Sequence, residues 1–120
     1  MDLETRETDR KIASDKVEGT AVYGTDGERL GTISRFMVDK VSGQVEYAVL
    51  TYGGLFGMGD KHYPLPWNAL SYDTGKGGYA VSIGRDQLQD APSYERDEEQ
   101  PVYDRDYGER VYSYYGFTYM

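Results

Sequence analysis

The stretch "QVEYAVLTYGGLFGMGDKHYPLPW", Gln44 to Trp67, decides the fold. Its first nine residues are rich in β-branched and aromatic types and alternate as a strand does. Ala48, Leu50 and Tyr52 share one face, and Val45, Tyr47, Val49 and Thr51 share the other. A strand apolar on both faces sits centrally in a sheet or is covered on its outer side. The closing "KHYPLPW" (61–67) sets Tyr63, Leu65 and Trp67 on one face and His62, Pro64 and Pro66 on the other. Proline has no N–H to donate, so this segment is expected at a sheet edge or a barrel seam. Between the two strands, four glycines surround an apolar tip of Leu55, Phe56 and Met58.

Working outward, "TAVY" (20–23) reads as a short strand and Asp26-Gly27 as a tight turn. The next strand covers 29–39. Leu30, Thr32, Ser34, Phe36 and Val38 form one face, and Gly31, Ile33, Arg35, Met37 and Asp39 the other. Ser42-Gly43 turns the chain into 44–52. Downstream, "NALSYD" is a short strand or turn, 74–78 is a turn, and "YAVSI" (79–83) points Tyr79, Val81 and Ile83 inward. "RDQLQDAP" predicts one helical turn capped by Asp86, with Leu88 as its core contact. Ser14 is a candidate cap for a further short turn. Short, evenly spaced strands with glycine turns give an all-β barrel or sandwich.

The chain divides into a flexible leader at 1–11, a domain at 12–94 and an acidic tail at 95–120. From Tyr94 onward the sequence holds seven of the 13 tyrosines. Tyr107, Val111, Tyr114 and Tyr115 recur at helical spacing, with Asp104 or Asp106 as cap and Gly116 as terminator. Gly108 inside this helix costs ~1 kcal/mol of propensity. A helix this short does not hold in water alone, so it needs a surface to dock on.

Bulk chemistry narrows the function classes. One domain and tails fit 120 residues. A net charge of −8 without a Lys/Arg cluster disfavours direct nucleic-acid binding. The absence of cysteine removes disulfides, thiolate metal sites and Cys nucleophiles, and fits a reducing, cytoplasmic setting. No run approaches the roughly 18 apolar residues of a membrane span, so no membrane insertion is expected.

Motifs with specific chemistry fail on their own terms. Gly54 to Gly59 has P-loop glycine spacing, but Asp60 stands where a lysine must reach the phosphates. His62 is the sole histidine, and zinc sites draw on several His or Cys ligands. The run from Asp73 begins like a calcium loop, but Gly84 stands where the bidentate Glu belongs. Glu98-Glu99 reads as a solvated run rather than an acid–base pair. No catalytic, metal or cofactor site is assigned.

The ordered motifs "GTAVY", "DGERLGTI", "SGQVEYAV", the Gly/Leu/Phe loop and "YPLPWNAL" together resemble the PRC-barrel domain family over about Ile12 to Tyr94. "DRDYGERVYSYYG" resembles the C-terminal extension of free-standing bacterial members. The resemblance implies a small, strongly bent β-barrel of about six strands. Its implied core is Val22, Leu30, Ile33, Val49, Tyr63, Leu65, Trp67 and Val81. Family members include the cytoplasmic domain of the photosynthetic reaction-centre H subunit and the C-terminal domain of a ribosomal-RNA maturation factor, where the barrel is a docking module. No family catalytic motif exists to map.

The expectation is therefore a non-enzymatic interaction or scaffold module with an unidentified protein partner, self-associating as a dimer. The expected surface comprises Leu55, Phe56, Met58, Val45, Tyr47, Tyr107, Val111, Tyr114 and Tyr115. Two alternatives stand beside it: an adaptor in ribosome maturation or an RNA–protein complex, and a small-molecule binder using the 53–63 loop.

Overall fold

Among the described residues the alternating segments form seven strands of a single sheet. The structure, a computed structural model, describes residues 17–52, 61–95 and 100–119. In chain order the strands are β1 (Ala21–Tyr23), β2 (Arg29–Val38), β3 (Val45–Tyr52), β4 (Lys61–Pro66), β5 (Leu70–Asp73), β6 (Gly78–Val81) and β7 (Tyr94–Glu95). A helical turn, α1 (Arg85–Leu88), precedes β7, and the tail forms α2 (Arg105–Tyr114). The spatial order is β5-β6-β1-β2-β3-β4-β7. Six strands come from the expected domain, and the two-residue β7 makes the seventh. Among the described residues no ladder joins β5 to β7, so the sheet stays open between those edges.

The turns follow their local chemistry. Gly27 and Gly43 adopt φ of 80° and 79°, the left-handed region that glycine enters without a Cβ penalty. Asp39 Oδ1 accepts from the backbone N–H of Ser42 (2.8 Å) and of Val41 (2.9 Å). Those amides hold its carboxyl below the usual carboxylate range.

Strict alternation in β2 breaks at bulges. Val22 pairs with Gly31 and Tyr23 with Arg29, so Leu30 is skipped. Ile33 pairs with Leu50 and Arg35 with Val49, so Ser34 is skipped. Met37 pairs with Tyr47 and Val38 with Val45, which skips Glu46 on β3. Each bulge bends the strand and adds twist, and together they curl the β2–β3 hairpin. Leu30 and Ile33 are consequently both buried, although strict alternation separates them. Gly31 is required where the curl is tightest, because a Cβ there would lie 2.1 Å from Thr51 O.

β3 behaves as a two-faced strand. Tyr47, Ala48, Val49 and Leu50 are all buried, and β2 and β4 flank it. Burying each Leu- or Val-sized side chain stabilises the fold by about 1.5–3 kcal/mol. β7 runs beside β4 only at Lys61 and His62 and stops short of Pro64, which matches the seam expected from the prolines. Both faces of β4 are nevertheless covered, since Tyr63, Pro64, Leu65 and Pro66 are all buried.

Two expectations need correction. Trp67 is only partly buried, whereas Val22, Leu30, Ile33, Val49, Tyr63, Leu65 and Val81 are buried. The chain leaves β4 at Trp67 into a 3-10 turn (Trp67–Ala69), and the indole lies tilted against Tyr79 at 5.7 Å instead of entering the core. Gly84, not Asp86, is the cap residue of α1, and Asp86 lies inside its first turn. Leu88 is buried as expected. Ser14, the 1–11 leader, Glu98 and Glu99 lie outside the described residues.

Candidate interaction surface

The tail helix is built by local signals and held by distant ones. Asp104 is its N-cap, and its Oδ1 accepts from the Tyr107 N–H at 3.0 Å. Such a cap contributes about 1 kcal/mol. Arg105 and Glu109 pair at 3.3 Å one turn apart, on the exposed side. Gly116 ends the helix at φ 86°.

The buried stripe of α2 is Tyr107, Gly108, Val111 and Tyr112, continued by Tyr115. It is rotated from the stripe expected, with Tyr112 inside and Tyr114 only half-buried. Tyr112 Oη donates to Glu46 O at 2.5 Å, and Tyr114 Oη donates to Gln87 O. The helix packs against β4 between these two anchors. Tyr119, beyond Gly116, folds back over Gly108 and donates to Glu46 Oε1 at 2.9 Å. A Cβ on residue 108 would come within 2.6 Å of that ring, so the glycine is the seat of Tyr119.

The aromatic rings form a continuous array. Tyr47 meets Tyr103 at 5.1 Å and Tyr112 at 5.7 Å, both edge-on. Tyr103 also meets Tyr107 at 5.2 Å, and Tyr112 meets Tyr119 at 5.0 Å. The Tyr94 and Tyr103 hydroxyls lie 3.4 Å apart. Edge-to-face geometry sets the positive ring edge against a negative ring face, worth about 0.5–1.5 kcal/mol per pair beyond burial. Removal from water pushes the phenols of Tyr47, Tyr103 and Tyr115 well above the ordinary tyrosine range. Tyr115 Oη is buried with no hydrogen-bond partner among the described residues.

The residues singled out from sequence are distributed as follows. Tyr47, Tyr107, Val111 and Tyr115 join one buried cluster within the chain. Tyr114 borders that cluster and reaches α1. Val45 is half-buried at the far end of the β2–β3 hairpin, opposite Val38. Leu55, Phe56 and Met58 lie outside the described residues. His62 Nδ1 lies 3.2 Å from Thr51 Oγ1, and its ring stacks on Tyr94 at 5.3 Å. Among the described residues no group of three or more His, Asp and Glu converges as metal ligands.

Tyr103, Tyr112 and Tyr119 were missed by the sequence reading. Tyr112 was legible in principle, since it follows Val111 and lies five residues from Tyr107, which widens the helical stripe. Tyr119 gives no periodic signal because it acts from beyond the helix end. No helix among the described residues is long and apolar enough to cross a membrane.

An uncharacterized protein of Deinococcus radiodurans is 28% identical over 93 residues, covering 78% of this chain. The chain spans about a third of that relative's length. The family model for the PRC-barrel domain matches residues 9–88, from before β1 through α1. The bent sheet, the bulged hairpin and the match over two thirds of the sequence agree: the chain belongs to the PRC-barrel domain family.

Proposed function

We propose that this chain is a non-enzymatic protein–protein interaction module that self-associates. PRC-barrel domains often serve as interaction modules, and the family is not known as an enzyme family. The observation that carries the reading is apolar exposure at the end of the β2–β3 hairpin. Val41 is 95% exposed at its turn and Val38 is 44% exposed, with Val45 paired opposite Val38. Single exposed apolar residues are ordinary, but three valines at one hairpin end make a patch suited to contact.

Light scattering after size exclusion, over a concentration series, tests it. The expected result is a mass that rises toward twice the monomer's, and more readily in salt, because copies carrying −8 repel and salt screens that repulsion. A Val38→Glu/Val41→Glu variant should fold with unchanged stability and stay monomeric. A wild-type monomer throughout the high micromolar range would remove the self-association claim.

A further inference from the structure

Oxidising a tyrosine removes one electron and, with it, the phenolic proton. The radical cation left by electron loss alone is a strong acid, so the electron leaves most easily where a base already holds that proton in a hydrogen bond. The chain has no cysteine to compete for an oxidant, and 13 of its 120 residues are tyrosine. Five of them stand in contact. The Tyr94 and Tyr103 hydroxyls are 3.4 Å apart, Tyr103 meets Tyr47 at 5.1 Å, Tyr47 meets Tyr112 at 5.7 Å, and Tyr112 meets Tyr119 at 5.0 Å. Rings in contact exchange single electrons readily, so a hole created on one member migrates to whichever member holds it best.

The hydrogen bonds decide which member that is. The Tyr94 and Tyr103 hydroxyls face each other. Tyr112 donates to Glu46 O, a main-chain carbonyl too weakly basic to take a proton. Tyr47 Oη is buried with no hydrogen-bond partner among the described residues. Tyr119 differs, because its Oη donates to the side-chain Oε1 of Glu46 at 2.9 Å. Burial, then the hydrogen bond to Glu46 and its charge, raise the Tyr119 phenol above its ordinary range, since each disfavours a phenolate. A hole has the opposite charge, and the same carboxylate attracts it. Tyr119 is also half-buried, whereas Tyr47 and Tyr112 are buried.

We propose that Tyr119 is an oxidative modification site: it yields an electron to a small diffusible one-electron oxidant, and Glu46 is the base that receives its proton. The tyrosine array is the route by which holes formed on Tyr94, Tyr103, Tyr47 or Tyr112 reach it. The electron passes to the oxidant, the O–H bond of Tyr119 breaks, and its proton bonds to Glu46 Oε1. The products are a neutral tyrosyl radical, a neutral carboxylic acid and the reduced oxidant, so atoms and charge balance. Both partners are held for this step. The Tyr119 ring seats on Gly108, where a Cβ would come within 2.6 Å of it. Glu46 is the residue skipped in the β2–β3 ladder, and a bulge re-aims the side chain it carries. Self-association is not required.

Azide radicals, made by radiolysis of azide solutions, take one electron each and become azide ions. The full chain is exposed to them with a nitrone spin trap present, and the trapped adducts are located by peptide mass spectrometry. Tyr72 is the most exposed tyrosine, at 40% on β5 and outside the array, so attack governed by exposure marks Tyr72 first. The expected result is several-fold more adduct on Tyr119 than on Tyr72. Glu46→Gln keeps an oxygen acceptor but removes the base. It should lower the Tyr119 adduct several-fold while circular dichroism shows the fold unchanged. Tyr119→Phe should raise the adduct on Tyr112 and Tyr103. Adducts that rank by exposure overturn the proposal, as does a Tyr119 yield unchanged in Glu46→Gln. If Glu46→Gln does not fold, Tyr119→Phe decides: a several-fold rise at Tyr112 or Tyr103 supports the array ending at Tyr119, and an unchanged pattern on the remaining tyrosines overturns it.

Discussion

Gly108→Ala pits a local rule against a distant contact. By helix propensity alone, replacing an interior glycine with alanine should stabilise α2 by about 1 kcal/mol. The added Cβ, however, would stand 2.6–2.7 Å from three atoms of the Tyr119 ring. That ring lies beyond the end of α2 and not within it, so it can be displaced while the helix itself survives. Displacing it removes the Tyr112–Tyr119 edge contact at 5.0 Å, worth about 0.5–1.5 kcal/mol. It also removes the Tyr119 hydrogen bond to the Glu46 carboxylate at 2.9 Å, worth about 1.5 kcal/mol when the acceptor is charged. The losses exceed the gain, and Gly108→Ala should destabilise the protein by ~1–2 kcal/mol. In a Tyr119→Ala background nothing remains to displace, and the same change should stabilise by about 1 kcal/mol. Urea unfolding followed by circular dichroism on the four proteins of this cycle gives a coupling of ~2–3 kcal/mol. If Gly108→Ala stabilises equally in both backgrounds, within about 0.5 kcal/mol, the seat assigned to Gly108 is wrong.

Two further outcomes follow from the phenols. Burial raises the pH at which Tyr47, Tyr103 and Tyr115 ionise in the folded state, so the unfolded chain releases these protons first. The unfolded state then binds fewer protons above about pH 10, and each group lowers stability by about 1.4 kcal/mol per pH unit there. Urea midpoints should hold steady from about pH 7 to 9 and fall steeply beyond pH 10; a flat alkaline limb would show the rings to be solvated. Tyr112→Phe removes a donor to Glu46 O and should cost about 0.5–1.5 kcal/mol. Tyr115→Phe removes a hydroxyl that is buried with no hydrogen-bond partner among the described residues and should be neutral or stabilising. Thermal unfolding of both variants checks the pair, and equal losses would contradict the hydrogen-bond assignment.

What the sequence made legible was local and periodic. The two-faced strand expected at 44–52, the Asp26-Gly27 and Ser42-Gly43 turns and the tail helix, capped by Asp104 of the two candidates, all rest on neighbouring residues and appear within a residue of where they were expected. The features that escaped depend on residues far apart in the chain. Leu30, Ser34 and Glu46 are skipped in their ladders because the partner strand demands curvature, and no residue type announces that. Alternation placed Trp67 inward, but the 3-10 turn that begins there breaks the period. Gly108 looked like a weakness of the helix by propensity, and its use is visible only with Tyr119 in place. The candidate surface divides in the same way: the helical tyrosines were readable from spacing, while the Glu46 and Gln87 acceptors that receive them were not.

The ladder between β1 and β6 is parallel, pairing Val22 with Tyr79 and Tyr23 with Ala80. Parallel strands cannot be joined to each other by a tight hairpin, so more than fifty residues of chain must be gathered before this seam forms. The closure entropy grows only as the logarithm of loop length, yet it is spent before the ladder returns any hydrogen bonds. The β2–β3 hairpin, whose partners are close in sequence, is the natural early structure, and the β1–β6 seam the late one. Refolding should therefore be slow for a chain of this size, in the millisecond-to-second range typical of non-local β topologies. Changes at Val22 or Tyr79 should accelerate unfolding more than they retard folding.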